Sequence, residues 1–140
     1  MITFTDTLGR EWSLSITVAA MRRAKRHDID LSMPVAQLQR FFMDDVFLTD
    51  ALFAIVSPEA TTRSITLEQF EAGLDGRVLS AARDALWDAL CEYFDVGKSQ
   101  MLRAAVASVA EEMAAATDSL TGTGSAESRE SLASTLETTD

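Results

Sequence analysis

The stretch "ITFTDTLGREWSLSIT", residues 2–17, alternates apolar and polar residues on both sides of a central glycine. If "DTLGR" forms the loop, Phe4 lies opposite Trp12, and the apolar residues of both arms share one face. Gly9 can adopt the left-handed conformation that such a turn needs. The stretch therefore predicts an antiparallel β-hairpin. Two strands alone are only marginally stable in water, so the apolar face must pack on helices or an edge must pair with another chain.

Most of the sequence that follows has the apolar spacing of helices. Thr17 and Asp75 are suited to cap helices, Thr66 and Gln69 have the spacing of a capping box, and Pro58 is expected to end a helix. The predicted helices span residues 18–27, 34–57 (as one bent helix or two), a short stretch up to about Gly73, 76–94 and 98–116. We therefore expect a mainly α protein with an N-terminal β-hairpin (α+β), built as a small bundle of about five helices over residues 1–116.

The composition changes at Thr117. Of the 24 residues from 117 to 140, 11 are Ser or Thr and none is aromatic. Such a segment cannot bury enough apolar surface to offset its ordering entropy. Residues 117–140 are therefore predicted to be a disordered acidic tail.

The charge of the chain is strongly negative, with a formal net charge of −10. Nucleic-acid binding is disfavoured because it relies on Lys and Arg, and only the run "RRAKRH", residues 22–27, is a local exception. The single cysteine excludes an intramolecular disulfide, and neither a signal peptide nor a membrane-spanning stretch is recognised. These features predict a protein of the cytoplasm that does not enter a membrane.

Candidate catalytic groups are sparse. "GKS", residues 97–99, lacks both the earlier glycine and the preceding strand of a phosphate-binding loop. His27 is the only histidine, and Cys91 lies in the middle of an apolar helix. We therefore expect no enzyme activity, no catalytic residues, no metal site and no cofactor.

Two groups of residues are candidates for protein binding. The aromatic group is most simply core, but a single helix face cannot take adjacent aromatic residues that point about 100° apart. Some of these residues are therefore expected to contact the hairpin, another subunit or a partner. The acidic group follows a helix at i, i+4 and i+8 and forms either a solvated face or a docking face for a basic partner. The candidates are Phe4, Trp12, Phe41, Phe47, Phe53, Asp84, Asp88 and Glu92.

Three segments together resemble the tail assembly chaperones of tailed bacteriophages and prophages. In those proteins a hairpin of the form F-D-x-x-G-R-x-W is followed by a segment near L-x-x-V-x-P-x-A and by F-x-x-x-L-x-G before a long amphipathic helix. This chain has one more residue after the first Phe and one more after the first Leu. The matching residues are Phe4, Asp6, Gly9, Arg10, Trp12, Leu52, Val56, Pro58, Ala60, Phe70, Leu74 and Gly76.

The resemblance implies a non-enzymatic assembly factor in the bacterial host cytoplasm. Such proteins bind the long helical tape measure protein, keep it soluble, recruit tail-tube subunits and are absent from the finished virion. Many are also made in a longer, frameshifted form. In this role, an edge of the hairpin would add to the sheet of a partner or of a second copy.

Other functions remain open from the residues alone. The chain could be a structural component of a phage virion, or a small acidic regulator that binds a basic protein. Homo-oligomers are compatible with either function.

Overall fold

The computed structural model describes residues 1–122, with side-chain positions through Thr117. The expected class is confirmed, because helices follow a single two-stranded N-terminal hairpin, although the described residues hold six α-helices rather than about five. The strands are β1 (Thr3–Thr5) and β2 (Glu11–Ser13). The helices are α1 (Val18–Lys25), α2 (Leu38–Met43), α3 (Asp45–Thr62), α4 (Leu67–Glu71), α5 (Gly76–Tyr93) and α6 (Val96–Gly122), with a short 3-10 helix at Pro34–Gln37 before α2.

The hairpin has the predicted register. Phe4 pairs with Trp12 across the antiparallel strands, and Leu14 N donates to Ile2 O at 2.8 Å. Gly9 adopts a φ of +78°, the left-handed conformation that favours glycine in this loop. Phe4 and Trp12 are both buried, so the apolar face packs against the helices as expected.

The predicted helix caps are confirmed. The Thr17 hydroxyl accepts from Ala20 N at 3.0 Å, and the Asp75 carboxylate accepts from Val78 N at 2.8 Å. Thr66 and Gln69 satisfy each other's backbone N–H groups, as a capping box requires. These short-range interactions orient α1, α4 and α5 at their N-terminal ends.

The segment predicted as one helix or two forms two, because the chain breaks at Asp44. The Asp44 carboxylate accepts from Val46 N and Phe47 N, both at 3.1 Å, and so caps α3. Pro58 does not end this helix, contrary to expectation, and α3 continues to Thr62. Proline has no N–H to donate to the carbonyl four residues earlier, but Arg23 Nε donates to that carbonyl, Ala54 O, at 2.6 Å.

Helix α3 lies at the centre of the first part of the fold. It contacts α1, α2, α4, α5 and β2, so it is buried on most sides. Its apolar residues are spread around the helix rather than confined to one stripe, as that position requires. The buried residues include Phe47, Leu48, Ala51, Leu52, Ile55 and Val56.

The C-terminal boundary differs from the predicted one. Helix α6 continues to Gly122, so residues 117–122 are helical rather than part of a disordered tail. Residues 123–140, the rest of the predicted tail, lie outside the described residues. The chain divides into a unit of Met1–Ala105 and a unit that begins at Val106, and the predicted division after residue 116 stays a prediction. No helix within residues 1–122 has both the length and the apolarity to cross a membrane.

Candidate functional site

Two hairpin residues that carry the family resemblance, Arg10 and Trp12, contact the buried carboxylate of Asp6. This carboxylate accepts from Arg10 Nε at 2.7 Å and from Trp12 Nε1 at 3.0 Å. It also accepts from the backbone N–H groups of Leu8 and Arg10, each at 2.9 Å. Burial alone would raise the pKa of Asp6, but these hydrogen bonds outweigh it and lower the pKa below its usual value.

The same cluster joins the hairpin to the segment around α4. Arg10 Nη2 donates to Gln69 O at 2.8 Å, and the rings of Trp12 and Phe70 meet edge to face at 5.1 Å. Gly73 closes the cluster, because a Cβ atom there would lie 2.6 Å from Asp6 Oδ2. These residues therefore act as a structural joint in this fold, in which Asp6, Trp12 and Phe70 are buried.

The aromatic candidates are mostly core residues. Phe4, Trp12, Phe41 and Phe47 are buried, and only Phe53 is half-buried. The burial of Phe4 and Trp12 agrees with the expected packing of the hairpin face on helices. Phe41 and Phe47 are core residues and not part of an exposed surface, because the central position of α3 brings opposite sides of the segment into the core.

Phe41 illustrates this packing. Its ring lies edge to face with those of Phe47, at 4.8 Å between centroids, and of Trp87, at 5.4 Å. Phe53 packs on Phe70 at 5.3 Å and so faces the α4 side of the same core. These aromatic residues thus contact one another across several elements of the fold.

The acidic candidates are exposed along α5. Asp84, Asp88 and Glu92 all face solvent, and Asp88 is 3.5 Å from Arg103 Nη1 in an exposed ion pair. Such a pair contributes little to stability. The placement agrees with a solvated helix face, and docking of a basic partner to it stays a prediction.

An apolar notch lies between the segment before α2 and the start of α6. Two exposed methionines stand beside it: Met33 is 54% exposed and Met101 is 61% exposed. Leu102 and Pro34, which also line the notch, are buried. We call this the methionine notch, formed by Met33, Pro34, Val35, Phe94, Met101 and Leu102.

The methionine notch is too small for a typical small-molecule ligand. Its volume of about 30 Å³ is far below the roughly 300–1,000 Å³ of such sites, and suits the end of one apolar side chain. Lys98 adds a positive charge at the rim, with its Nζ 4.8 Å from the centre of the Phe94 ring. Methionine side chains are flexible and polarizable, so they adapt to apolar partners of varied shape.

The sequence contained a weak signal for this notch. Met33 lies in the connector "DIDLSMP", residues 28–34, and Met101 lies beside rather than on the apolar stripe of its helix. Only the fold brings the two methionines to one place.

The remaining reactive candidates are His27 and Cys91. His27 is exposed, and Cys91 is half-buried with its Sγ 3.8 Å from Ser99 O. Within the described residues, no three His, Cys, Asp or Glu side chains are grouped to hold a metal ion.

Comparison with known proteins gives no relative from which a function could be inferred: no family model, curated protein or solved structure matches the chain.

Proposed function

We propose that this chain is a non-enzymatic, protein-binding assembly factor of the tail assembly chaperone kind. In this proposal, the methionine notch holds an apolar side chain on a helical segment of the partner, a long tape measure protein. The observation that carries the proposal is the pair of exposed methionines, Met33 and Met101, around a buried apolar floor.

The energetics suit transient holding of a partner. Full burial of a Met or Val side chain contributes about 1.5–3 kcal/mol to the free energy of binding. The notch has only a few such side chains that are still exposed for a partner to bury. Association also costs translational and side-chain entropy, so a single notch supports weak, reversible binding. A chaperone that must later release its partner needs this property.

The charge of the chain supports the same function. A net charge of −10 keeps a complex with an aggregation-prone apolar partner soluble. Lys98 at the rim can attract an acidic residue on the partner helix beside the bound apolar side chain. Recruitment of tail-tube subunits, a cytoplasmic location in the bacterial host and absence from the virion are parts of this proposal that rest on the family resemblance.

A pull-down with notch variants tests the proposal. The tagged chain is co-expressed with the genes that flank its own, and retained proteins are identified by mass. The double variant Met33→Gln/Met101→Gln should retain only a small fraction of the tape measure protein that the unmodified chain retains. Met43→Gln is the matched control, because Met43 is similarly exposed but does not line the notch. Equal retention by both variants, or no long helical protein with the unmodified chain, would contradict the proposal.

A second candidate function is binding of a basic protein by the acidic face of α5. It is favoured by the exposure of Asp84, Asp88 and Glu92 on one helix. Reversal of these charges to Lys should then abolish partner binding while the notch variants retain it. Mass spectrometry of purified virions separates both functions from that of a structural virion component, and sedimentation of the purified chain tests for a homo-oligomer.

A further inference from the structure

The outer edge of β2 is covered by α3 over only part of its length. Ser13 N donates to Glu59 Oε1 at 3.2 Å, and Glu11 O accepts from Arg63 Nη2 at 2.7 Å. These side chains satisfy backbone groups that a two-stranded ribbon would otherwise leave free for a partner. The N–H and C=O of one strand residue point to the same edge, so Ser13 O faces outward as well.

The edge is open immediately beyond Ser13 N. Leu14 N donates to Ile2 O at 2.8 Å, so Leu14 faces β1, and the period of two turns the backbone of Ser15 outward. Within the part of the chain that the structure describes, neither Ser13 O nor Ser15 N has a hydrogen-bond partner. An acceptor and a donor therefore stand two residues apart on one exposed edge.

A cleft of about 350 Å³ borders this open edge. Ser13, Ser15 and Thr17 line one side of it, and this alternation fits an extended chain. The opposite side is formed by Arg23 and α3, where Ile55 and Val56 give an apolar floor and Glu59 a charged rim. The cleft thus combines unpaired backbone groups with a place for apolar side chains.

We infer that this cleft binds an extended peptide segment of a partner protein, which adds as a strand parallel to residues 13–17. In parallel pairing, one residue of the added strand donates to the C=O of residue i and accepts from the N–H of residue i+2. Ser13 O and Ser15 N meet that requirement. An antiparallel strand in register with Ser13 would have to displace Glu59 from Ser13 N.

This strand site is separate from the methionine notch and does not depend on the proposed function. Backbone hydrogen bonds supply affinity that does not depend on the sequence of the peptide. The apolar floor of Ile55 and Val56 selects an apolar side chain at one of the peptide positions that face the cleft. The partner is therefore an extended segment with an apolar residue flanked by residues that face solvent.

A peptide experiment tests the inference on the full chain. A random library of linear 12-residue peptides is selected against the purified protein, and the binders are made synthetically. At least one should shift the backbone amide NMR signals of residues 13–17. The backbone amides of that peptide are then N-methylated one at a time. Methylation should weaken binding about fivefold or more at every second residue of the paired stretch and leave the affinity nearly unchanged at the residues between them.

Variants of Ser15 provide the complementary readout. Ser15→Pro removes the donor and should weaken the peptide about fivefold or more, whereas Ser15→Ala keeps the N–H and should bind within about twofold of the unmodified protein. Met33→Gln/Met101→Gln should leave the peptide affinity unchanged. Selected peptides that never shift residues 13–17, or N-methylation losses without a period of two, would overturn the inference. If Ser15→Pro fails to fold, the N-methylation pattern alone decides.

Discussion

Arg23 on α1 donates its Nε–H to the carbonyl of Ala54 on α3 at 2.6 Å, and this is the carbonyl that Pro58 leaves without a backbone donor. Its Nη2 also lies 3.3 Å from the next carbonyl, Ile55 O. A side chain 31 residues earlier in the sequence thus replaces the missing helical hydrogen bond. This contact lets α3 pass through a proline and holds α1 against it.

Arg23→Ala should destabilise the fold by about 1.5–3 kcal/mol, because buried carbonyls lose a charged donor. In a Pro58→Ala background the loss should be smaller by about 1 kcal/mol, since the introduced alanine can donate its own N–H to Ala54 O. Urea unfolding of the four proteins measures this coupling. Arg22→Ala is the control, because Arg22 is exposed and its loss should change stability by less than about 0.5 kcal/mol. Additive effects of the two substitutions would contradict the compensation.

Asp6→Asn should lower stability at neutral pH by about 1.5–3 kcal/mol, because charge-assisted hydrogen bonds from Arg10 and Trp12 are lost or weakened. The folded pKa of Asp6 lies below the ordinary 3.8, so its contribution is fully present above that value. The contribution is lost as the pH falls through the folded pKa.

The stability difference between the unmodified chain and Asp6→Asn should therefore be constant at neutral pH and shrink below about pH 4. Urea unfolding at a series of pH values measures it. Taking the difference removes the contribution of Asp30, whose pKa is also lowered, mainly by the Ser32 hydroxyl. A difference that stays constant down to about pH 2 would show that the Asp6 charge does not stabilise the fold.

Gly73→Ala should destabilise the fold by about 1–3 kcal/mol, because the new Cβ would meet Asp6 Oδ2 at 2.6 Å and Arg10 Nη2 at 2.7 Å. Gly76→Ala is a matched control three residues later. No atom lies within 4 Å of a Cβ there, and alanine favours the start of α5, so stability should be unchanged or rise by up to about 1 kcal/mol. Thermal unfolding compares the two, and equal effects would argue against a close contact at Gly73.

Phe41→Ala should cost about 3–5 kcal/mol, because Phe41 is only 1% exposed and packs between Phe47 and Trp87. Phe53→Ala should cost less, since Phe53 is half-buried. Denaturant unfolding, with near-UV circular dichroism to follow the aromatic core, measures both. A decrease in the free energy of unfolding of less than about 1 kcal/mol for Phe41→Ala would contradict the placement of Phe41 in the core.

Interactions between residues close in the sequence can be predicted from the sequence alone. The hairpin register follows from alternation around Gly9, and the caps at Thr17, Asp75 and Thr66 follow from side chains that bond backbone groups within three residues. These elements need no information about the rest of the chain, because their hydrogen bonds are local.

The effects of contacts between residues far apart in the sequence cannot be predicted in the same way. Pro58 by itself indicates the end of a helix, since the sequence does not show that Arg23 lies beside it. The spacing of the aromatic residues does not show which of them are buried, because the central position of α3 arises only from packing.

Local sequence was thus sufficient for the hairpin, the helical class and the principal caps. Packing between distant segments determined which apolar residues are exposed and brought Met33 and Met101 to one notch. It also placed Glu59 and Arg63 on backbone groups of β2, which covers part of the outer edge of that strand. The physical reason is that exposure depends on contacts between residues far apart in the chain, whereas turns and caps depend on neighbouring ones.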